Sequence, residues 1–126
     1  MLDFKRAILA TVVLDFLDSY TTYVFITLGM GREANPIIAS QVNANPGFVF
    51  ILFLLYVAVA AALYALWSRL YVLLPVPYRA LIDRFVSTMA VIAIAFKSAV
   101  VVNNFLGIIA DFTPVAYLFE KIGLFG

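Results

Sequence analysis

What most constrains this chain is that three apolar runs, each long enough to cross a bilayer, fill most of its 126 residues. A membrane-spanning helix needs about 20 mostly apolar residues. Runs at about 7–30, 47–74 and 80–110 meet that length, the last led in from Tyr78. Backbone polarity in lipid favours helices, and no stretch of alternating polarity suggests a barrel. Composition supports the same environment. The chain is 66% hydrophobic and 12% charged, whereas a soluble domain is about 45–50% apolar and about 25% charged. So short a chain has too little interior to hide that much apolar surface. The expected fold is an all-α integral membrane protein, a three-span helical bundle forming one membrane domain over 1–126, with the lipid bilayer as its first partner.

Two shorter helices are expected beside the spans. "NPIIASQVNANPG" has room for one at about 36–44, with Asn35 as N-cap and Pro36 at the first helical position. Too short to span, it is re-entrant or interfacial. The pair Asn45-Pro46 opens the second span in the same way. Twin Asn-Pro pairs resemble the half-helix starts of aquaporins, but here they are adjacent in sequence, and simple helix initiation accounts for them. "TPVAYLFEKIG" gives a C-terminal helix at about 114–122, with Thr113 as cap and Gly123 as stop.

The opening "MLDFKRAILATVVLDF" has the basic start and apolar run of a signal peptide. The run continues past the usual length and no small-x-small cleavage site follows, so it is read as a retained first span. Lys5, Arg6, Arg69, Arg79 and Arg84 fall at one end of the bundle, and Arg32 and Lys121 at the other. This bias puts the N-terminus and the "PVP" loop in the cytoplasm of a plasma-membrane protein. Trp67, Tyr71 and Tyr78 sit where an inner aromatic belt belongs.

The net charge is +1 with no basic tail, so nothing points to nucleic acid. Cysteine and histidine are absent, which removes disulfides, thiolate or imidazole metal sites and Ser–His or Cys–His catalysis within the chain. No cofactor is expected. A bound metal would be a hard, oxygen-ligated cation such as Na⁺ or Mg²⁺.

Charge inside the spans is the remaining clue. Thr11, Asp15, Asp18 and Thr22 step by four, three and four, which places them on one helix face. Ala93, Lys97, Val100, Asn104 and Gly107 keep the same spacing in the third span. The second span holds no charge before Arg69, and Ala58, Ala61, Ala62 and Ala65 give it a small-residue face. At about 1.5 Å per residue, Asp15 lies roughly 12 Å, Asp18 roughly 16 Å and Lys97 roughly 20 Å from the cytoplasmic end. Asp18 and Lys97 are therefore expected to meet near the midplane. Glu33, Asn35, Asn103 and Asn104 form a second, outer polar layer.

Three readings of the intramembrane site Asp15, Asp18, Thr22 and Lys97 follow. In the structural one, an acid and a lysine at one depth pair to offset a cost of at least about 2.5–3.5 kcal/mol for a lone ion. In the transport one, two carboxylates face one ammonium, so the second holds a proton or a cation. The enzymatic one starts from Asp at i and i+3, which resembles the start of the CDP-alcohol phosphotransferase motif. There, aspartates hold a divalent metal, and Asp15 and Asp18 would be the ligands. This sequence has Ser19 where that motif has glycine, and it lacks the later aspartates.

"LDFLDSYTTYVFITLGMGREANPI" also resembles the opening of a family of small prokaryotic membrane proteins known only as a domain of unknown function. Its members carry a Leu-Asp with a Thr three or four residues on, then a Gly-x-x-Glu-x-Asn-Pro turn. Asp18 with Thr21 or Thr22, Glu33, Asn35 and Pro36 fit that pattern over about the first 37 residues, and Gly31 lies one residue closer to Glu33. The family's early lysine in the second span is missing, and Lys97 is the candidate replacement. The resemblance implies a small helical bundle and supplies no activity. Three narrow helices enclose little. The leading expectation is an accessory or scaffold subunit, as a homo-oligomer or with other membrane subunits. A small oligomeric H⁺- or Na⁺-linked transporter or channel is the alternative, and a divalent-metal membrane enzyme the remote one.

Overall fold

The computed structural model describes residues 3–33, 35–110 and 114–122, and the regular elements among them are all helical. They are α1 (Phe4–Thr27), α2 (Ala39–Ala44), α3 (Phe48–Leu73), α4 (Val76–Ala110) and α5 (Pro114–Lys121). Three of them, α1, α3 and α4, are long and apolar enough to cross a membrane.

Local chemistry sets each boundary. α1 starts at Phe4, earlier than the apolar run, because the Asp3 side chain accepts from the Arg6 backbone N–H at 2.8 Å. It stops at Thr27, short of residue 30. Gly29 adopts φ +70°, its N–H reaches the Ile26 carbonyl at 3.0 Å, and Met30 N–H reaches the Phe25 carbonyl at 3.0 Å. These are the two bonds of a Schellman stop, and they require the left-handed residue that glycine supplies.

The expected helix at 36–44 is shorter, and Asn35 is not its N-cap. Asn35 Oδ1 accepts from Ile37 N–H at 3.1 Å, and the Asn35 carbonyl accepts from Ile38 and Ala39. This side-chain turn consumes residues 36–38 before α2 begins. Pro77 falls in the first turn of α4, where its missing N–H has no intrahelical partner to lose. The third span therefore extends back to Val76. At about 1.5 Å per residue α4 is about 50 Å long, more than a hydrocarbon core of about 30 Å. Thr113 and Gly123, the expected cap and stop of the C-terminal helix, lie outside the described residues.

α1 is the central helix, packed closely on both α4 and α3, while α2 rests on α3 and α5 on α4. α3 and α4 reach one another through long side chains. The Tyr71 hydroxyl donates to Asp83 at 2.8 Å, and the Arg79 guanidinium lies 5.5 Å from the Tyr71 ring centre. Arg79 also donates to the Leu74 and Val72 carbonyls, closing the end of α3. Among the described residues the buried positions are small or β-branched (Ala7, Thr21, Val42, Val49, Ala60 and Gly107), whereas large apolar side chains line the outside. That inversion suits lipid as solvent. On α3, Ala60 is the buried alanine, and Ala58, Ala61, Ala62 and Ala65 face outward.

Candidate functional site

Thr22 follows Asp15 by seven positions on α1, and Asn104 follows Lys97 by seven on α4. Seven residues make about two turns, so each pair lies on one face of its helix. The two faces meet. Lys97 contacts Asp15 and Asn104 contacts Thr22, each across 82 positions, so α1 and α4 run parallel in fixed register.

The Lys97 ammonium is ion-paired with Asp15 Oδ1 and stands 4.0 Å from Asp18 Oδ2. The other Asp18 oxygen, Oδ1, accepts from the Asn104 amide at 3.1 Å. That amide also lies 3.2 Å from the Thr22 hydroxyl and 3.4 Å from the Thr21 hydroxyl. Thr21 donates back to the Leu17 carbonyl at 2.8 Å, which leaves its oxygen free to accept. From α3, the Tyr56 ring centre lies 5.4 Å from the Lys97 nitrogen, adding a cation–π contact. Asp15 and Asp18 both lean on one ammonium. Among the described residues, no buried side-chain nitrogen or oxygen lacks a hydrogen-bond partner. The Asp15 side chain is 13% exposed and that of Asp18 27%, so Asp18 is the more accessible acid.

Two expectations change. The closer partner of Lys97 is Asp15, not Asp18. A depth count anchored at each helix's basic end does not register how far parallel helices slide along one another. The proposed outer layer also divides. Asn104 joins the ionic stripe, while Asn103 is half-buried beside it on α4. Glu33 and Asn35 are held in the turn after α1. Glu33 Oε1 accepts from Asn35 N–H at 2.7 Å, while the Asn43 amide accepts from Glu33 N–H at 2.7 Å and donates to its carbonyl at 3.3 Å. Glu33 thus serves a turn, with Asn43 as its clamp.

Sequence spacing did not single out Asn43 or Tyr56. Tyr56 carries a usable signal, since a phenol in a span that holds no charge before Arg69 calls for a polar neighbour. Asn43 carries none, because its partner lies ten residues away across a turn. For a hard cation, Asp15 and Asp18 are the available carboxylates, and the Lys97 ammonium already stands against both. Among the described residues no group of three or more Asp, Glu, His or Cys side chains gathers as a metal site.

Comparison with known proteins gives one result. The family model described as "Domain of unknown function (DUF5658)" matches residues 9–110, which take in α1 from Leu9 onward, all of α3 and α4, and the whole polar stripe. That is consistent with the expectation of a family of unknown function. No curated protein and no solved structure matches the chain.

Proposed function

We propose a structural role in a membrane assembly for this chain, which belongs to the family described as a domain of unknown function (DUF5658). The protein is read as an accessory or scaffold subunit, self-associating or joined to other membrane subunits, with its polar stripe fixing how α1 sits on α4. One observation carries this reading: the members of the stripe satisfy one another within a single chain. Lys97 serves Asp15 and Asp18, and Asn104 serves Asp18, Thr21 and Thr22. Buried polar groups matched this way are best attested as setters of register. Asp18 with Thr21 or Thr22 falls in the stripe, and Glu33-x-Asn35-Pro36 falls in the turn after α1. α2, six residues long, lies at the membrane surface in this reading. The N-terminus and the "PVP" end face the cytoplasm of a plasma-membrane protein, in keeping with their excess of basic residues.

A second reading keeps one observation in its favour. Two acids share one base, and Asp18, 4.0 Å from the ammonium, is the acid left less fully paired. A proton or Na⁺ at Asp18 would make the stripe part of a conduction path through an oligomer. Proteoliposome flux under a pH or Na⁺ gradient separates the readings, with size measured in mild detergent on the same samples. The structural role predicts no flux above empty vesicles and an assembly that Asp15→Leu with Lys97→Met leaves intact. Flux that those substitutions abolish would replace it with the transport reading.

A further inference from the structure

At the end of the bundle where α1 begins and α3 ends, a groove of about 390 Å³ opens beside α4, away from the polar stripe. Its size falls within the usual range for small-molecule sites, about 300–1,000 Å³. Phe4, Tyr64, Trp67 and Tyr71 line it, with Lys5 and Asp83. The rings form a continuous run: Phe4 stacks on Tyr64 at 6.1 Å, Phe4 meets Trp67 at 5.1 Å, and Trp67 meets Tyr71 at 5.6 Å. Asp3, also on the wall, is engaged by its own helix through the Arg6 backbone and side chain. Asp83 is the carboxylate tied to the aromatic wall, held by the Tyr71 hydroxyl through Oδ2.

We infer that this groove binds the head group of a zwitterionic phospholipid carrying a primary ammonium and a phosphate. Aromatic faces attract a cation through their quadrupole, and a carboxylate among them supplies the hydrogen-bond acceptor that a primary ammonium needs. Lys5 on the same wall offers a charge to the phosphate. The groove sits where both helices leave the apolar region, at the depth of head groups, and the exposed apolar sides of α3 and α4 continue below it for acyl chains. The basic residues crowded at this end would by themselves favour anionic lipid, so a preference for a zwitterionic head has to come from the groove.

Trp67 is the single tryptophan in the chain and lines the groove, so its emission reports occupancy. The full chain is reconstituted in phosphatidylglycerol vesicles, and acyl-brominated phosphatidylethanolamine is titrated in as quencher. Brominated phosphatidylglycerol and phosphatidylcholine are run in parallel. The ethanolamine lipid is expected to reach half-maximal quenching at about fivefold lower mole fraction than either comparison lipid. Asp83→Asn keeps an acceptor for Tyr71 and removes the charge, so it should abolish that preference, whereas Asp83→Glu should retain it. Equal quenching by all three lipids would overturn the site, as would a preference that survives Asp83→Asn. Equal preference for the choline lipid would overturn the primary-ammonium assignment.

Discussion

Lys97 on α4 is ion-paired with Asp15 on α1 across 82 positions, and the Asn104–Thr22 contact repeats that separation two turns further along. One relative placement of two helices therefore satisfies an ionic contact and an amide contact together. Residues next to these in sequence cannot replace them in the contacts, because neighbouring positions on a helix point about 100° apart. In lipid, where apolar surface does little to choose among helix registers, such a pair of contacts can decide the matter.

Asn104→Leu is expected to cost about 1 kcal/mol of stability, in the range measured for hydrogen bonds between membrane helices. The amide is the partner of Asp18 Oδ1 and lies within reach of the Thr21 and Thr22 hydroxyls. Unfolding in mixed micelles, compared with a Val102→Leu control on the exposed side of α4, measures the difference.

The stop of α1 should be sensitive at two glycines for different reasons. Gly29→Ala places a side chain at φ +70°, which costs about 1 kcal/mol. Gly31→Ala instead drives a methyl into the Phe25 ring, so its effect depends on whether the ring can turn away. A parallel Phe25→Leu background distinguishes them: it should relieve Gly31→Ala and leave the penalty of Gly29→Ala unchanged.

Asn43→Ala removes both bonds to the Glu33 backbone and should cost about 1–2 kcal/mol locally. Amide hydrogen exchange is the suitable probe. Faster exchange is expected at Glu33 and in α2, with the middle of α1 unaffected.

Some of these features can be read from the sequence and others only from the packed helices. The three spans could be read because lipid imposes a length and an apolarity on each run separately. The faces of α1 and α4 could be read because spacings of three and four are properties of one helix. The match between faces could not, since Asp15 rather than Asp18 sits closest to Lys97 only through the relative slide of two helices. Asn35 misled for a related reason: the same side chain caps a helix or closes a turn, and its neighbours Glu33 and Asn43 decide which.

Orientation can be read directly, because the chain contains no cysteine. Single cysteines at Pro75 and Ile37, between the spans at opposite ends of the bundle, are expected to label from opposite sides. The excess of basic residues predicts that Pro75→Cys reacts only after the cytoplasmic face is opened to the reagent.

The most direct test of the account is a double-mutant cycle on Asp15 and Lys97, read by unfolding in micelles. Lys97→Met leaves two acids without their ammonium and should cost about 3 kcal/mol. Asp15→Leu is milder, about 1 kcal/mol, because Lys97 can turn to Asp18. The double variant restores the stripe's original net charge, so it should be more stable than Lys97→Met alone, with a coupling above about 1 kcal/mol. Losses that simply add in the double variant would contradict the claim that this pair sets the register of α1 on α4.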